Sequence, residues 1–487
     1  MTAQQPQPAV VAPRPRKVPR IVILGGGYVG FYTALRLRRR LGRREAAIVV
    51  VDPRSYMTYQ PFLPEAAAGS LEPRHVVVSH RQVLRGVDVL NGRVTGVRHA
   101  DRTVRIAPEY GDEYEITYDH LVVALGSVSR TLPIPGLAEQ GIGFKHVEEA
   151  IALRNHVLAR LDAAASTWDH DVRRRLLTFT FVGGGFAGVE ALAEVEDLAR
   201  SAVRGGRYEG VRPEDLRFVL IEGSTRILPE LGEEMGGYAL EQLRRRGIEV
   251  HLATFLSSCV DGHVVTSTGV EFDSATIVWT AGVQANPVLA ETDLPLDDGG
   301  RVRALPTLQV ATADGEVVEG VWAAGDCAAV PDLTNPGHLC SPSAQHAVRQ
   351  ARHLGDNLAR YLRGADVRPY RHAHVGTVAS LGLGKGVAQV YGVKVRGWIA
   401  WFLHRTYHLA QMPTLDRKVR IVLDWTLALF FPREMVALGR LHDPRATFVE
   451  AAASTAARAP GRGPTPDGRG GAGGAGGTGS VEGARAA

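Results

Sequence analysis

The stretch FTFVGGGFAGVEALAEVEDLA, residues 179–199, decides the fold. An apolar, strand-like run ends on three glycines, and a helical apolar pattern starts directly after them. Gly183, Gly185 and Gly188 make a G-x-G-x-x-G turn. The first glycine permits the tight turn, the second lets the backbone approach a pyrophosphate, and the third lets helix pack on strand. The helix then offers the phosphates unpaired N–H groups and the positive end of its dipole. Glu222 closes the following strand, FVLIE (218–222). A carboxylate there bonds a free ribose 2′-hydroxyl and repels a 2′-phosphate, while Arg226 close by pulls the other way.

The same order occurs earlier. RIVILGGGYVGFYTALRLRR (20–39) carries Gly25, Gly27 and Gly30, and Asp52 closes the next strand, EAAIVVVD (45–52). Each turn has its strand before, its helix after and its acid at the next strand end, which makes both more specific than a bare glycine pattern. Two strand–helix–strand units imply an α/β chain with two Rossmann-like dinucleotide-binding domains. First-domain signals resume late, at GVWAAGDCAAV (320–330), so the second domain is expected to be inserted in the first.

Bulk properties narrow the class. A chain of 487 residues needs more than one core, and a 45% apolar fraction is globular. The formal charge of +5 is spread over arginine-rich helices without a concentrated basic face, so no nucleic-acid partner is expected. Cys259, Cys327 and Cys340 form no CxxC pair, which argues against a disulfide scaffold or zinc site and for a reducing compartment. No run has signal-peptide or membrane-spanning length, so a cytoplasmic protein is expected. Residues 1–18 and 451–487 are low in apolar periodicity and are expected to be disordered tails.

Residues 20 to about 445 resemble the two-dinucleotide-fold flavoprotein reductases, and within them type II NADH dehydrogenase, the single-chain, non-proton-pumping NADH:quinone oxidoreductase. Four stretches beyond the glycine turns carry the resemblance: YQPFLPEAAAG (59–69), YDHLVVALGS (118–127), ATIVWTAGVQANP (275–287) and GVWAAGDCAAV. It implies non-covalent FAD held by Gly25, Gly27, Gly30, Asp52, Gln60, Gly126, Gly325, Asp326 and Gln345. It also implies NADH held by Gly183, Gly185, Gly188 and Glu222, and a quinone (menaquinone or ubiquinone) as acceptor. The family's quinone-side pattern A-Q-x-A-x-Q is matched by Ala344, Gln345 and Ala347, but Arg349 stands where the second Gln belongs, with Gln350 beside it. Arg349 is open to three readings: a bond to a quinone carbonyl, selection of an anionic acceptor, or a turn to solvent. Glu190 has two readings, an acid complementing the helix dipole or a catalytic group beside nicotinamide and flavin. The segment that carries redox cysteines in disulfide reductases, PRSYMTYQPFLPE (53–65), has none, so electrons are expected to leave the flavin directly.

The implied layout is an FAD domain at 19–145 and 255–345, an NADH domain at 146–254, and a membrane-association region at 346–450. In that region GWIAWFLHRTYHLAQMP (397–413) and RKVRIVLDWTLALFFP (417–432) are too short to cross a bilayer. They suit helices lying in the interface, with Trp at headgroup depth and Arg405, Arg417, Lys418 and Arg420 toward anionic lipid. Packing across a homodimer seam is the alternative. The expected placement is peripheral, on the inner face of the cell membrane.

Overall fold

The computed structural model describes residues 9–10, 18–372 and 376–437. Of the expected N-terminal tail, Ala9–Val10 lie as a short strand parallel to Tyr114–Glu115. The expected tail from 451 lies outside the described residues.

Each glycine turn joins a buried strand to a helix, as continuous apolar runs dictate for strands paired in parallel and covered on both faces. The first turn follows Arg20–Leu24, the fourth strand of a six-stranded sheet. Across that sheet the strands run Gln309–Ala311, Val317–Ala323, His120–Val123, Arg20–Leu24, Ala47–Asp52 and Asp88–Asn91. The second turn follows Thr178–Val182, centre of a five-stranded parallel sheet made of Gly141–Gly143, Thr276–Trp279, Thr178–Val182, Arg217–Ile221 and Glu249–His251. Val317–Ala323 pairs in parallel with His120–Val123, although the whole second sheet lies between them in sequence. Two sheet memberships differ from the expected layout. Gly141–Gly143 and Thr276–Trp279 pair with each other inside the second sheet, not the first. A strand follows its ladder, and the ladder here is completed by chain on both sides of the expected 146–254 block.

Ile21, Ile23 and Leu24 are fully buried beneath the first helix, Tyr28–Arg40, and Phe179 stacks on Phe218 at 5.0 Å beneath the second, Phe186–Arg204. A third long helix, Ala344–Leu362, packs along Tyr28–Arg40. Gly355 permits the approach, since a Cβ there would meet Arg36 Cβ at 2.8 Å. Arg36 donates twice to Asp356, at 2.8 and 2.7 Å. Thr33 Oγ1 donates to Ala351 O at 3.2 Å one turn earlier, so the two helices run in the same direction, with Gln345 near the start of the third.

Beyond it, an antiparallel three-stranded sheet (Gly376–Ser380, Gly386–Val390, Val393–Arg396) leads into the helices Gly397–Gln411 and Leu415–Phe430. No described helix is long and apolar enough to cross a membrane. The sequence placed Arg405 toward lipid. Instead its side chain is 11% exposed, donates to Glu65 at 2.9 Å and lies over the rings of Trp401 and Trp425 at 4.1 and 4.8 Å. Trp425 Nε1 donates to the same Glu65 oxygen at 2.7 Å. The physical reason is Glu65, a buried carboxylate on the short helix Leu63–Ala67 that needs a cation.

That clamp ties the C-terminal helices to the short helix Leu63–Ala67, and losing either partner strands a buried charge. Glu65→Ala is expected to lower unfolding free energy in urea by about 3–5 kcal/mol and to open residues 397–437 to protease first. A change below about 1 kcal/mol, as for an exposed pair, would contradict the clamp.

Candidate active site

The two glycine turns are built alike in their backbone. Gly25 and Gly183 hold left-handed φ of +97° and +113°. A Cβ on Gly30 would lie 1.7 Å from Gly25 O, and one on Gly188 1.9 Å from Gly183 O, so only glycine lets each helix seat on its strand. At Gly27 and Gly185, in contrast, a Cβ would meet nothing within 4 Å. These two are the N-caps of their helices, they have no side-chain cap, and neither first turn holds an acid. Each helix therefore presents bare N–H groups to open space at its positive end, the chemistry that receives a pyrophosphate.

Asp52 and Glu222 hold the middle of each turn. Asp52 accepts from Gly26 N at 2.6 Å and Arg54 N at 2.7 Å. Glu222 accepts from Gly184 N through one oxygen and from Ser224 N and Oγ, each at 2.6 Å, through the other. A carboxylate has about four acceptor positions, so both acids keep capacity for a ribose hydroxyl. Arg226 is exposed, and its carbonyl, not its guanidinium, joins this group by accepting from Ser224 Oγ at 2.8 Å. His80, which nothing in the sequence marked, is fully buried under the first turn and donates through Nε2 to Gly26 O at 2.8 Å. Burial lowers its pKa below the usual imidazole value.

The remaining flavin-side candidates converge on one polar cluster. Asp326 accepts from Ser127 Oγ at 2.7 Å, and Lys145 Nζ donates to the same hydroxyl at 2.7 Å. Gln60 Nε2 donates to Lys145 O at 3.1 Å, and Gln60 N to the Tyr28 hydroxyl at 3.1 Å. Burial lowers the Lys145 pKa, with Asp326 opposing. Gly126, at φ +64°, faces open space, whereas Gly325, at φ +76°, packs against Val29. Gln350 is 1% exposed and accepts from Gly325 N at 2.7 Å. It therefore serves the Gly325–Asp326 turn and does not stand in for the second Gln of the quinone-side pattern. These residues fit an FAD: a bare helix N-terminus, an acid at the next strand end, and a second acid with a cation placed beside an open glycine.

Gln345 and Arg349 face one another on the third helix, as positions four apart must. Arg349 Nη1 donates to Gln345 Oε1 at 3.2 Å, so its side chain is engaged and does not simply turn to solvent. Gln345 Nε2 donates to Gly376 O at 2.9 Å. At the other end of the strand Gly376–Ser380, Ser380 N donates to Glu190 Oε1 at 2.8 Å. Gln345 and Glu190 are thus tied to opposite ends of one strand, about 13 Å apart along it at ~3.3 Å per residue. Glu190 is 6% exposed and lies beyond the first turn of its helix, inward, which removes the dipole reading.

One turn further, Glu194 is 1% exposed, with Arg433 Nη2 at 3.4 Å. Burial pushes its carboxyl up to about 7, opposed by Arg433 and Arg405 and reinforced by Glu65 and Asp197. The three cysteines are free and buried, and burial pushes Cys327 and Cys340 up to about 12 and 11, so none offers a thiolate at neutral pH.

Residues 19–351 match the family described as pyridine nucleotide-disulphide oxidoreductase. The chain is 30% identical over 443 residues to the type II NADH:quinone oxidoreductase Ndh of Mycobacterium tuberculosis, covering 88% of this chain and 91% of that protein. The chain belongs to the type II NADH:quinone oxidoreductase family. A type II NADH:quinone oxidoreductase of Staphylococcus aureus is 29% identical over 389 residues, covering 79% and 93%. The solved structure of NDH2 from Plasmodium falciparum in complex with NADH superposes with a TM-score of 0.78 at 18% identity, over 86% of this chain and all of that one, which establishes the shared fold.

Glu194 makes stability pH-dependent in a definite direction. Its folded pKa exceeds the ordinary value near 4.5, so its contribution is complete below pH 4.5 and is lost as pH rises through about 7. The stability of the wild type relative to Glu194→Gln, from urea midpoints, is expected to fall across this window and level off above it. A difference that does not change with pH would contradict the burial argument.

Proposed function

We propose that this chain is a flavin-dependent NADH:quinone oxidoreductase without proton pumping, in which the first glycine turn holds FAD non-covalently and the second holds NADH. When bound, FAD would take a hydride from NADH and give the electron pair to a quinone. The observation that carries this reading is the strand Gly376–Ser380, which holds Glu190, on the second glycine helix, at one end and Gln345, on the quinone-side helix, at the other.

The protein's own part is placement and electrostatics. The bare helix ends at Gly27 and Gly185 neutralise the two pyrophosphates. Gly325 and Asp326, supported by Gln350 and Lys145, hold the flavin's ribityl side, with Gln60 and Gly126 lining it. Glu222 selects the free 2′-hydroxyl, hence NADH. Gln345 donates toward a quinone carbonyl, and Arg349 fixes the orientation of its amide while adding positive charge where a quinone gains negative charge.

The domain reading follows sheet membership, with the NADH domain carried within the FAD domain and extended by Gly141–Gly143 and Thr276–Trp279. Membrane association rests on exposed apolar residues of the two C-terminal helices. Trp398, Phe402, Val419, Leu423, Leu427 and Phe430 are each 50% exposed or more, beside the exposed Arg420. Such a face suits the inner surface of an anionic bilayer. Lipid accounts for it better than a second copy of the chain, because the acceptor is itself dissolved in lipid.

Purified, flavin-loaded protein is expected to oxidise NADH rapidly with a menaquinone or ubiquinone analogue and slowly without acceptor. Gln345→Ala should cut quinone turnover about tenfold while flavin bleaching by NADH stays within about twofold. Trp398→Glu with Phe402→Glu should abolish flotation with anionic vesicles and leave bleaching intact. Equal rates with and without quinone, or loss of bleaching in Gln345→Ala, would overturn the assignment.

A further inference from the structure

Glu190 is held from two sides by chain that lies far along the sequence. Its Oε1 accepts from Ser380 N at 2.8 Å and lies 3.0 Å from His404 Nε2, a close contact at ion-pair distance whose angle is not that of a hydrogen bond. Among the described residues, Oε2 takes no partner. His404 is 2% exposed, and it comes from the middle of the helix Gly397–Gln411, the same helix that carries the exposed Trp398 and Phe402.

The His404 ring is itself fixed. It sits edge-on to His408 with ring centroids 4.5 Å apart, and His408 Nδ1 is 3.1 Å from the Tyr59 hydroxyl. Tyr59 belongs to the flavin-side segment and packs on Phe62 at 5.2 Å. Burial and the neighbouring His404 hold His408 well below the usual imidazole value, so the inner ring of this pair is neutral. A path of packed rings thus runs from the flavin-side segment through His408 to His404 and ends on a carboxylate of the second glycine helix. Glu190 is thus met at one oxygen by both Ser380 N and His404 Nε2.

We propose that His404 is a positioning residue for Glu190: the C-terminal helix fixes, through this imidazole, the carboxylate that meets the nicotinamide. The proposal rests on the reading that Glu190 lies at the hydride-transfer site. It assigns the C-terminal helix a part in the NADH half-reaction as well as at the lipid surface. A fixed group placed to within a fraction of an ångström is what such a site requires of its supporting residues.

The test is anaerobic rapid mixing of the flavin-loaded full chain with NADH. His404→Phe keeps the volume and removes the nitrogen. It is expected to slow bleaching at saturating NADH about tenfold, to leave the half-saturating NADH concentration within about twofold, and to keep flavin content. His404→Gln, which restores an N–H at similar reach, should recover to within about threefold. Glu190→Gln should lose about as much as His404→Phe, and the double variant should be no slower than Glu190→Gln. A readout independent of turnover comes from histidine ring-nitrogen resonances, where the signal lost in His404→Phe should shift in Glu190→Gln. If His404→Phe is recovered without flavin, His404→Gln is compared with His404→Asn, which is one methylene too short and should remain slow. Multiplying losses in the double variant, wild-type bleaching in His404→Phe, equal rates for Gln and Asn, or an unmoved resonance would each overturn the proposal. Wild-type bleaching in Glu190→Gln would instead remove the underlying placement of Glu190.

Discussion

Buried carboxylates near the second glycine helix are the constraint on which the rest of the molecule depends. Glu65, Glu190, Glu194 and Glu196 are all at most 6% exposed. An unpaired charge at that depth costs several kcal/mol, so each has a partner that must arrive by folding. For Glu196 the partners are local to the second sheet, Arg200 and Arg246. For the other three they come from residues 380–433: Ser380 and His404 on Glu190, Arg433 on Glu194, Arg405 and Trp425 on Glu65. The C-terminal segment is therefore held to the dinucleotide-binding core by polar contacts with these carboxylates, an ion pair at Glu65 and looser contacts at Glu190 and Glu194, and its apolar residues are left for another surface.

The two glycine turns show the opposite strategy. There the protein withholds side chains, from Gly27 and Gly185 above all, so that backbone N–H groups stay bare. Bare N–H groups of this kind are what phosphate oxygens complete. The acids that look like ribose ligands from sequence do a second task first, since Asp52 and Glu222 each bind the central amide of their own turn. The turn is shaped before any ligand arrives, which lowers the ordering cost of binding.

What the sequence revealed was local. Both turns, their acids and the Gln345–Arg349 spacing are written in short-range patterns, and the fold has the strand ends, helix starts and i,i+4 pair that those patterns describe. The one-residue ambiguity at Gln350 also follows from helix phase, because a residue five positions from Gln345 points away from it, here toward Gly325. Contacts between distant segments were not legible. Arg405 reads as an interfacial cation until Glu65, 340 positions away, is seen beneath it. His404, His80 and Lys145 carry no motif at all, and only the fold brings them to Glu190, Gly26 and Ser127. The strands Gly141–Gly143 and Thr276–Trp279 were assigned by sequence neighbourhood, and ladder pairing moved them to the other sheet.

The proposed reaction needs one flavin between a nicotinamide bound at the second turn and a lipid-soluble acceptor reached past Gln345. The most direct test follows the visible flavin absorbance of purified protein without oxygen, through one equivalent of NADH and then one of a quinone in detergent or vesicles. Full bleaching by NADH and full recovery on adding the quinone are expected, with one quinol formed per NADH consumed. Flavin that NADH fails to bleach, or that stays bleached in the presence of the quinone, would contradict the proposed reaction.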